Sequence, residues 1–236
     1  MKGLYKAWVL IVFSVILLIP GLLQAQNWEF GVDFILGSPQ GDFGRTVDDL
    51  GYGLDLYGAY QLRNSPVALG LDIGFLTYGT TRRTEPFSPN IPEVNVRVST
   101  SNNIAFGHLL TRIQPSDGVI RPYLDGLFGF NYLFTESRIR DERSQDEIAS
   151  STNFDDITLS GGFGAGSKFH IYRTFDEDSN RLINLFLDLR ARYILGGEAE
   201  YLREGSIQRD NGNLIFDVER SRTDLLTFHI GIVFQF

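Results

Sequence analysis

Eight stretches of the 236-residue chain place apolar side chains on every second position, the period of a β-strand with one apolar face. They begin with Trp28, Phe30, Val32, Phe34 and Leu36, and continue with Leu54 to Leu62 and Val67 to Phe75. Further runs cover Leu124 to Phe134, Ile157 to Ile171, Ile183 to Tyr193 and Leu226 to Phe236. The remaining one, fourth in order, is the least regular. There Val94, Val96, Val98, Ile104, Phe106 and Leu110 share one parity, but so do His108 and Arg112. A bulge that shifts the register is expected in that run. Helical periodicity is missing throughout.

The opposite face decides between two architectures. A soluble sandwich or barrel turns its apolar face inward and covers its polar face with long charged side chains. Here the minor face carries Gly31, Ala59, Gly70, Gly74, Gly129, Ser160, Gly162, Gly164 and Gly166. Small residues suit the narrow interior of an eight-stranded barrel. The charges on this face are sparse and of mixed sign. Glu29, Asp33, Asp55, Asp72, Asp125 and Asp188 stand against Lys168, Arg190 and Arg192, a set able to pair inside a lumen. Outside the fourth run, the apolar face bears no charge. It therefore reads as the face that meets lipid.

Connections alternate in length. Short turns fall at Arg63 to Pro66, Gln114 to Gly118 and Phe175 to Asn180, and long polar loops at 38–50, 79–93, 137–154 and 204–222. Short turns on one side of a membrane and long loops on the other account for this. In the last loop, Asn211-Gly212 is a hairpin signal between Tyr201 to Gln208 and Leu214 to Arg220, which predicts a β-ribbon above the membrane. Trp28, Tyr60, Phe134, Phe169 and Tyr193, near strand ends, suit interfacial girdles.

Lys2 and Lys6 precede the apolar stretch Ala7 to Ile19, then Pro20-Gly21 and a small residue at Ala25. That order predicts a secretory signal peptide over 1–26, cleaved near Ala25-Gln26, and a single domain over 27–236. The formal net charge of −8 gives no reason to expect nucleic-acid binding. With no cysteine there is neither a disulfide nor a thiol nucleophile.

Taken together, the leader, the eight strands, the alternating loops and the terminal run resemble the small eight-stranded outer-membrane β-barrels of Gram-negative bacteria, the OmpA/OmpX-like group. The resemblance spans residues 27–236 and is architectural. It implies an all-β, eight-stranded antiparallel up-and-down transmembrane β-barrel in the outer membrane, with both termini periplasmic, set in outer-membrane lipid and lipopolysaccharide. In that group a terminal aromatic with apolar residues at alternate positions before it is read by the outer-membrane assembly machinery. Ile230, Ile232, Phe234 and Phe236 match that pattern.

Candidate chemistry is sparse. A lipid-hydrolysing site would need a His, a nucleophilic Ser and an acid together on the outer rim. His170 and His229 sit on polar-face positions and read as lumen-lining hydrogen-bonding residues. Asp176 to Asn180 mimics the start of a calcium loop but has Arg181 and Leu187 where Gly and Glu are required. Gly161 to Gly166 lacks the Lys and helix of a phosphate loop and reads as a strand. The sequence therefore predicts no catalytic, metal or cofactor site. It predicts a filled lumen and a structural or interaction role at the cell envelope, with a surface partner engaged through the long loops. A narrow solute channel is the alternative, and a lipid-modifying enzyme a more distant one.

Overall fold

The alternating runs close into a cylinder. The computed structural model describes residues 27–47, 49–88, 91–141, 147–176, 181–210 and 213–236. The expected leader, residues 1–26, and the Asn211-Gly212 turn lie outside the described residues, as does most of the Asp176 to Asn180 stretch. Among the described residues, ten strands and one short helix follow in order: β1 (Trp28–Pro39), α1 (Gly41–Thr46), β2 (Gly51–Gln61), β3 (Val67–Ser88), β4 (Ile91–Ile113), β5 (Ile120–Asp141), β6 (Glu147–Asp176), β7 (Arg181–Gly196), β8 (Glu198–Asp210), β9 (Asn213–Arg222) and β10 (Leu225–Gln235).

Eight of them form one closed antiparallel barrel in the order β1-β10-β7-β6-β5-β4-β3-β2, while β8 and β9 pair only with each other. Each barrel strand neighbours the strands next to it around the wall, so the topology is up-and-down. Closure runs from Glu29 opposite Gln235 to Pro39 opposite Leu225. The Phe236 N–H adds a further bond to the Trp28 carbonyl at 3.0 Å. A barrel built this way leaves no free edge in the wall.

The greasy side faces out. Phe30, Val32, Phe34, Leu54, Leu71, Ile73, Phe128, Leu159, Phe163 and Ile230 are all exposed, several by more than half. Trp28 stacks on Phe30 and tilts against Tyr60 near the short-turn end, while Tyr132 stacks on Phe134 near the other.

The fourth run departs from its expected orientation. On β4 the even positions face the lumen: Ile104, His108, Leu110 and Arg112 are buried, whereas Leu109 and Ile113 are exposed. The apolar residues of even parity are therefore interior, and the alternation on β4 itself runs unbroken from them to Val96 and Val98, which are also buried. The irregularity lies on the neighbouring strand, between Thr77 and Gly79, where Tyr78 is the extra residue of β3. Arg112 decides the orientation physically, since a guanidinium belongs with the carboxylates of the lumen and not in hydrocarbon.

Three of the expected long loops are largely strand. β3 and β4 stay paired from Val67–Ile113 up to Ser88–Ile91, and β5 and β6 up to Arg140–Glu147. The third is the β8–β9 ribbon, as the Asn-Gly signal implied. The first long connection holds α1 instead. Its Phe43 is buried and packs edge-on against Tyr78 at 5.3 Å and Tyr201 at 4.9 Å. With Ile35, Leu76, Ile104, Leu133 and Leu225 these rings form an apolar plug across the long-loop end of the barrel.

The outward band makes a quantitative prediction. Leu71→Arg should cost ~2–4 kcal/mol if its position lies near the bilayer midplane. Denaturant unfolding of the protein refolded in lipid vesicles measures this, and a neutral result would place Leu71 outside the hydrocarbon.

Candidate functional site: a buried charge network

Beneath the plug, the lumen is filled by ionisable side chains held on six of the eight walls. Period-two alternation aims them there: Glu29 and Asp33 from β1, Asp55 from β2, Asp72 from β3, Asp125 from β5, Lys168 from β6, and Asp188, Arg190 and Arg192 from β7. All nine charges expected in the lumen are buried. A tenth, Arg112 of β4, is also fully buried and joins the two ends of the network.

Arg112 grips Asp125 with two bonds, Nε to Oδ1 at 2.7 Å and Nη2 to Oδ2 at 3.0 Å. Its Nη1 donates to Glu29 at 3.1 Å and to the Tyr57 hydroxyl at 2.9 Å. The guanidinium lies over the Tyr123 ring, 3.8 Å from its centroid, a desolvated cation–π contact. Toward the short turns, Lys168 Nζ donates to Glu29 at 2.5 Å, and Gln114 links Glu29 to Gln61. Arg121 seals this end with bonds to the Gln235 side chain at 2.9 Å and the Gly118 carbonyl at 3.1 Å.

Toward the plug, Arg190 donates to Asp188 at 3.0 Å, to Asp33 at 2.8 Å and to Asp55. Asp188 also accepts the Tyr123 hydroxyl at 2.6 Å. Arg192 bridges Asp72 at 2.8 Å and Asp125 at 3.0 Å. Six carboxylates thus surround Arg112, Lys168, Arg190 and Arg192, and the imidazoles of His229 and His108 stand against two of the acids. His229 Nδ1 is 3.0 Å from Asp55, and His108 Nδ1 is 3.6 Å from Asp72.

Glycine makes the room. Gly164 of β6 lies directly opposite Arg192, and Gly166 opposite Arg190. A Cβ at Gly164 would come within 2.5 Å of Arg192 Cγ; one at Gly166 would meet Tyr123 Cζ at 2.5 Å. Across the barrel, a Cβ at Gly31 would strike the Tyr57 ring at 2.1 Å. The glycine-rich stretch of β6 is thus the counterpart of the two arginines, wall space left open so that long cations fit.

The three histidines divide. His229 lines the lumen as expected and also bonds Thr227 at 2.9 Å. His170 is half-buried, its ring 5.1 Å from Phe186 near the short-turn end. His108 bonds Ser160 at 2.9 Å on one side and approaches Asp72 on the other, which orders serine, imidazole and carboxylate as in a hydrolase. Ser160 instead donates to Asn131 at 3.0 Å, and all of these side chains are buried. The space beside them holds about 10 Å³, room for a single water at most. An acyl chain has no place next to this serine. Among the described residues, no group of acids and histidines is arranged to hold a metal ion.

Ile230 and Phe234 face outward and exposed on β10, Ile232 and Phe236 partly so. The Phe236 ring lies edge-on to Phe30 at 6.2 Å. Arg112 is the residue that sequence reasoning left unplaced. The available signal was its charge: on a strand of uncertain register, the parity that carries a cation is the lumenal one.

No family model and no curated protein matches the sequence. Solved structures that resemble it include Neisserial surface protein A, with 10% identity, a TM-score of 0.41, and coverage of 89% of this chain and 97% of that one. Another is Ail, the attachment invasion locus protein of Yersinia pestis, in complex with the heparin analogue sucrose octasulfate. It shows 14% identity, a TM-score of 0.34, and coverage of 89% and 97%. A major outer membrane protein from Thermus thermophilus shows 14% identity, a TM-score of 0.42, and coverage of 89% and 99%. What defines the class is this chain's own closed sheet: an apolar band outside and a packed, charged centre make it a transmembrane β-barrel. The eight strands of its wall give it the architecture of the small outer-membrane barrels.

The network predicts an asymmetry between buried and exposed ion pairs. Arg192→Ala leaves Asp72 and Asp125 short of a partner and should cost about 3–5 kcal/mol. Arg220→Ala, which breaks an exposed pair with Glu198, should cost about 0–1 kcal/mol. Denaturant midpoints of the two variants in the same detergent check the difference.

Proposed function

We propose that the protein is an integral protein of the outer membrane of a Gram-negative bacterium. Its role there is structural or interactive at the cell envelope, neither catalytic nor that of an open channel. The observation that carries this reading is the filled lumen. Arg112, Lys168 and Arg192 are essentially inaccessible, their partners cross the barrel from wall to wall, and the Phe43 plug lies above them. A water-filled path needs continuous open space, which side chains occupy here.

Export proceeds through a signal peptide over residues 1–26, removed near Ala25. The assembly machinery reads Ile230, Ile232, Phe234 and Phe236, whose alternation on one outward face supports that role. Outer-membrane lipid and lipopolysaccharide form the surroundings. The extended β3–β4 and β5–β6 hairpins and the β8–β9 ribbon offer the surface for an envelope or cell-surface partner. Nothing in the charge distribution favours nucleic acid.

The folded protein should migrate differently on gels before and after boiling, and should give no conductance steps in planar bilayers. Discrete steps from a heat-modifiable sample would favour the narrow channel instead. Lipid-A mass spectra from cells with and without the gene should be identical; a changed acylation pattern would establish the enzymatic alternative.

The terminal array makes a separate prediction. Phe236→Ala should lower the amount of assembled barrel in cells several-fold while purified protein still refolds in detergent. Equal assembly of variant and parent would remove the recognition role from this residue.

A further inference from the structure

From the top of the apolar band toward the long-loop end, the outward faces of β3, β4 and β5 continue as one surface whose chemistry changes row by row. The register fixes the rows. Phe75, Ala105 and Tyr132 lie side by side, then Thr77, Asn103 and Phe134 with Tyr52 of β2 opposite Thr77. Next come Thr80, Ser101 and Glu136, then Arg82, Ser99 and Arg138. Arg97 stands two residues farther along β4, opposite Thr84. Aromatic rings thus give way to amide and hydroxyl groups, and these to guanidinium groups. The rows enclose a shallow cavity of about 610 Å³.

The Tyr78 bulge produces this order. Below it the odd positions of β3 face outward; beyond it the even ones do, because one extra residue reverses the alternation. Without the bulge Arg82 would point into the barrel. Local bonds organise the wall further. Thr77 donates to Asn103 at 2.8 Å, and Glu136 fixes Arg138 through two bonds of 3.1 and 2.8 Å. The cavity lining itself carries three cations, Arg82, Arg97 and Arg138, and one carboxylate, Glu136.

We propose that this wall binds one phosphorylated glycolipid of the outer leaflet, with an acyl chain along Phe75 and Phe134, sugar hydroxyls on the Thr77–Asn103 and Thr80–Ser101 rows, and phosphates at Arg82, Arg97 and Arg138. The inference rests on the outer-membrane reading above. Two features select this occupant. The cavity opens sideways, on the same face as the lipid-facing band and continuous with it, so its ligand lies in the leaflet. The arginine row also stands high. Six or seven residues separate it from Phe75, which at ~3.3 Å per residue and a tilt of ~40° is roughly 15 Å of height. The polar zone of an ordinary phospholipid leaflet is only ~5–8 Å deep. Anionic groups spaced from their acyl chains by sugars, as in lipopolysaccharide, reach that level. Guanidinium groups suit them because they hold phosphate oxygens with paired N–H donors.

The test titrates folded protein in zwitterionic detergent with rough lipopolysaccharide bearing phosphorylated core sugars, with the same material after phosphate removal, and with phosphatidylglycerol. Phosphate removal should weaken binding about tenfold or more, and phosphatidylglycerol should bind no better than the stripped glycolipid. The triple variant Arg82→Gln, Arg97→Gln, Arg138→Gln should lose a similar factor while keeping its heat-modifiable migration. Equal affinity of the parent protein for phosphorylated and stripped lipopolysaccharide overturns the proposal without use of any variant. So does full competition by excess inorganic phosphate, which would mark a site for free anions. A parent protein without heat-modifiable migration would instead defeat the membrane-barrel reading itself.

Discussion

The pairing of β1 with β10 is the contact on which the rest depends. A strand surrounded by hydrocarbon has no water for its N–H and C=O groups, and each unpaired one costs several kcal/mol. A sheet of eight strands meets that demand only if its first and last members pair. The run from Glu29–Gln235 to Pro39–Leu225 does so along the full length of β10. Once the cylinder closes, every strand has one face outside and one inside. The period-two sequence then divides its residues into those that meet lipid and those that must fill a narrow space.

Filling that space is the second constraint. Eight strands enclose too little volume for two facing layers of large side chains. The chain answers with glycines set directly against arginines: Gly164 faces Arg192 and Gly166 faces Arg190 across the β6–β7 pair. A desolvated guanidinium is costly alone and tolerable only when its donors are matched. Arg112, Arg190 and Arg192 accordingly each meet carboxylates from more than one wall, so the network also staples distant strands together. Glu29 of β1 is joined to β4 and β6, and Asp55 of β2 to β7. Rigidity of the wall and closure of the lumen follow from the same bonds.

Outside the membrane the demands differ. β3, β4 and β5 run well past the aromatic band, with β6 paired beside β5, and their outward rows become polar and then cationic. The apolar plug around Phe43 closes the same end from within. The described residues of the long-loop end therefore present a defined sideways face, and the proposed interaction role rests on it.

Alternation, glycine content and the absence of charge on the apolar face were enough to determine the barrel, its strand number and the lumenal residues on seven strands. These are local properties: a residue's side of a pleated strand depends only on its parity. The β-ribbon of the last loop was legible for the same reason, through Asn211-Gly212. Pairing partners were not. On β4 large apolar residues and Arg112 share one parity, so alternation alone does not choose the inward face; the charge of Arg112 does, through the carboxylates of Glu29 and Asp125 on other strands. Likewise the Tyr78 bulge, the strand character within 79–93 and 137–154, and the contact of His108 with Ser160 depend on neighbours far away in sequence. Parity is written along one strand, whereas register and charge pairing exist only between strands, and only closure of the barrel sets them.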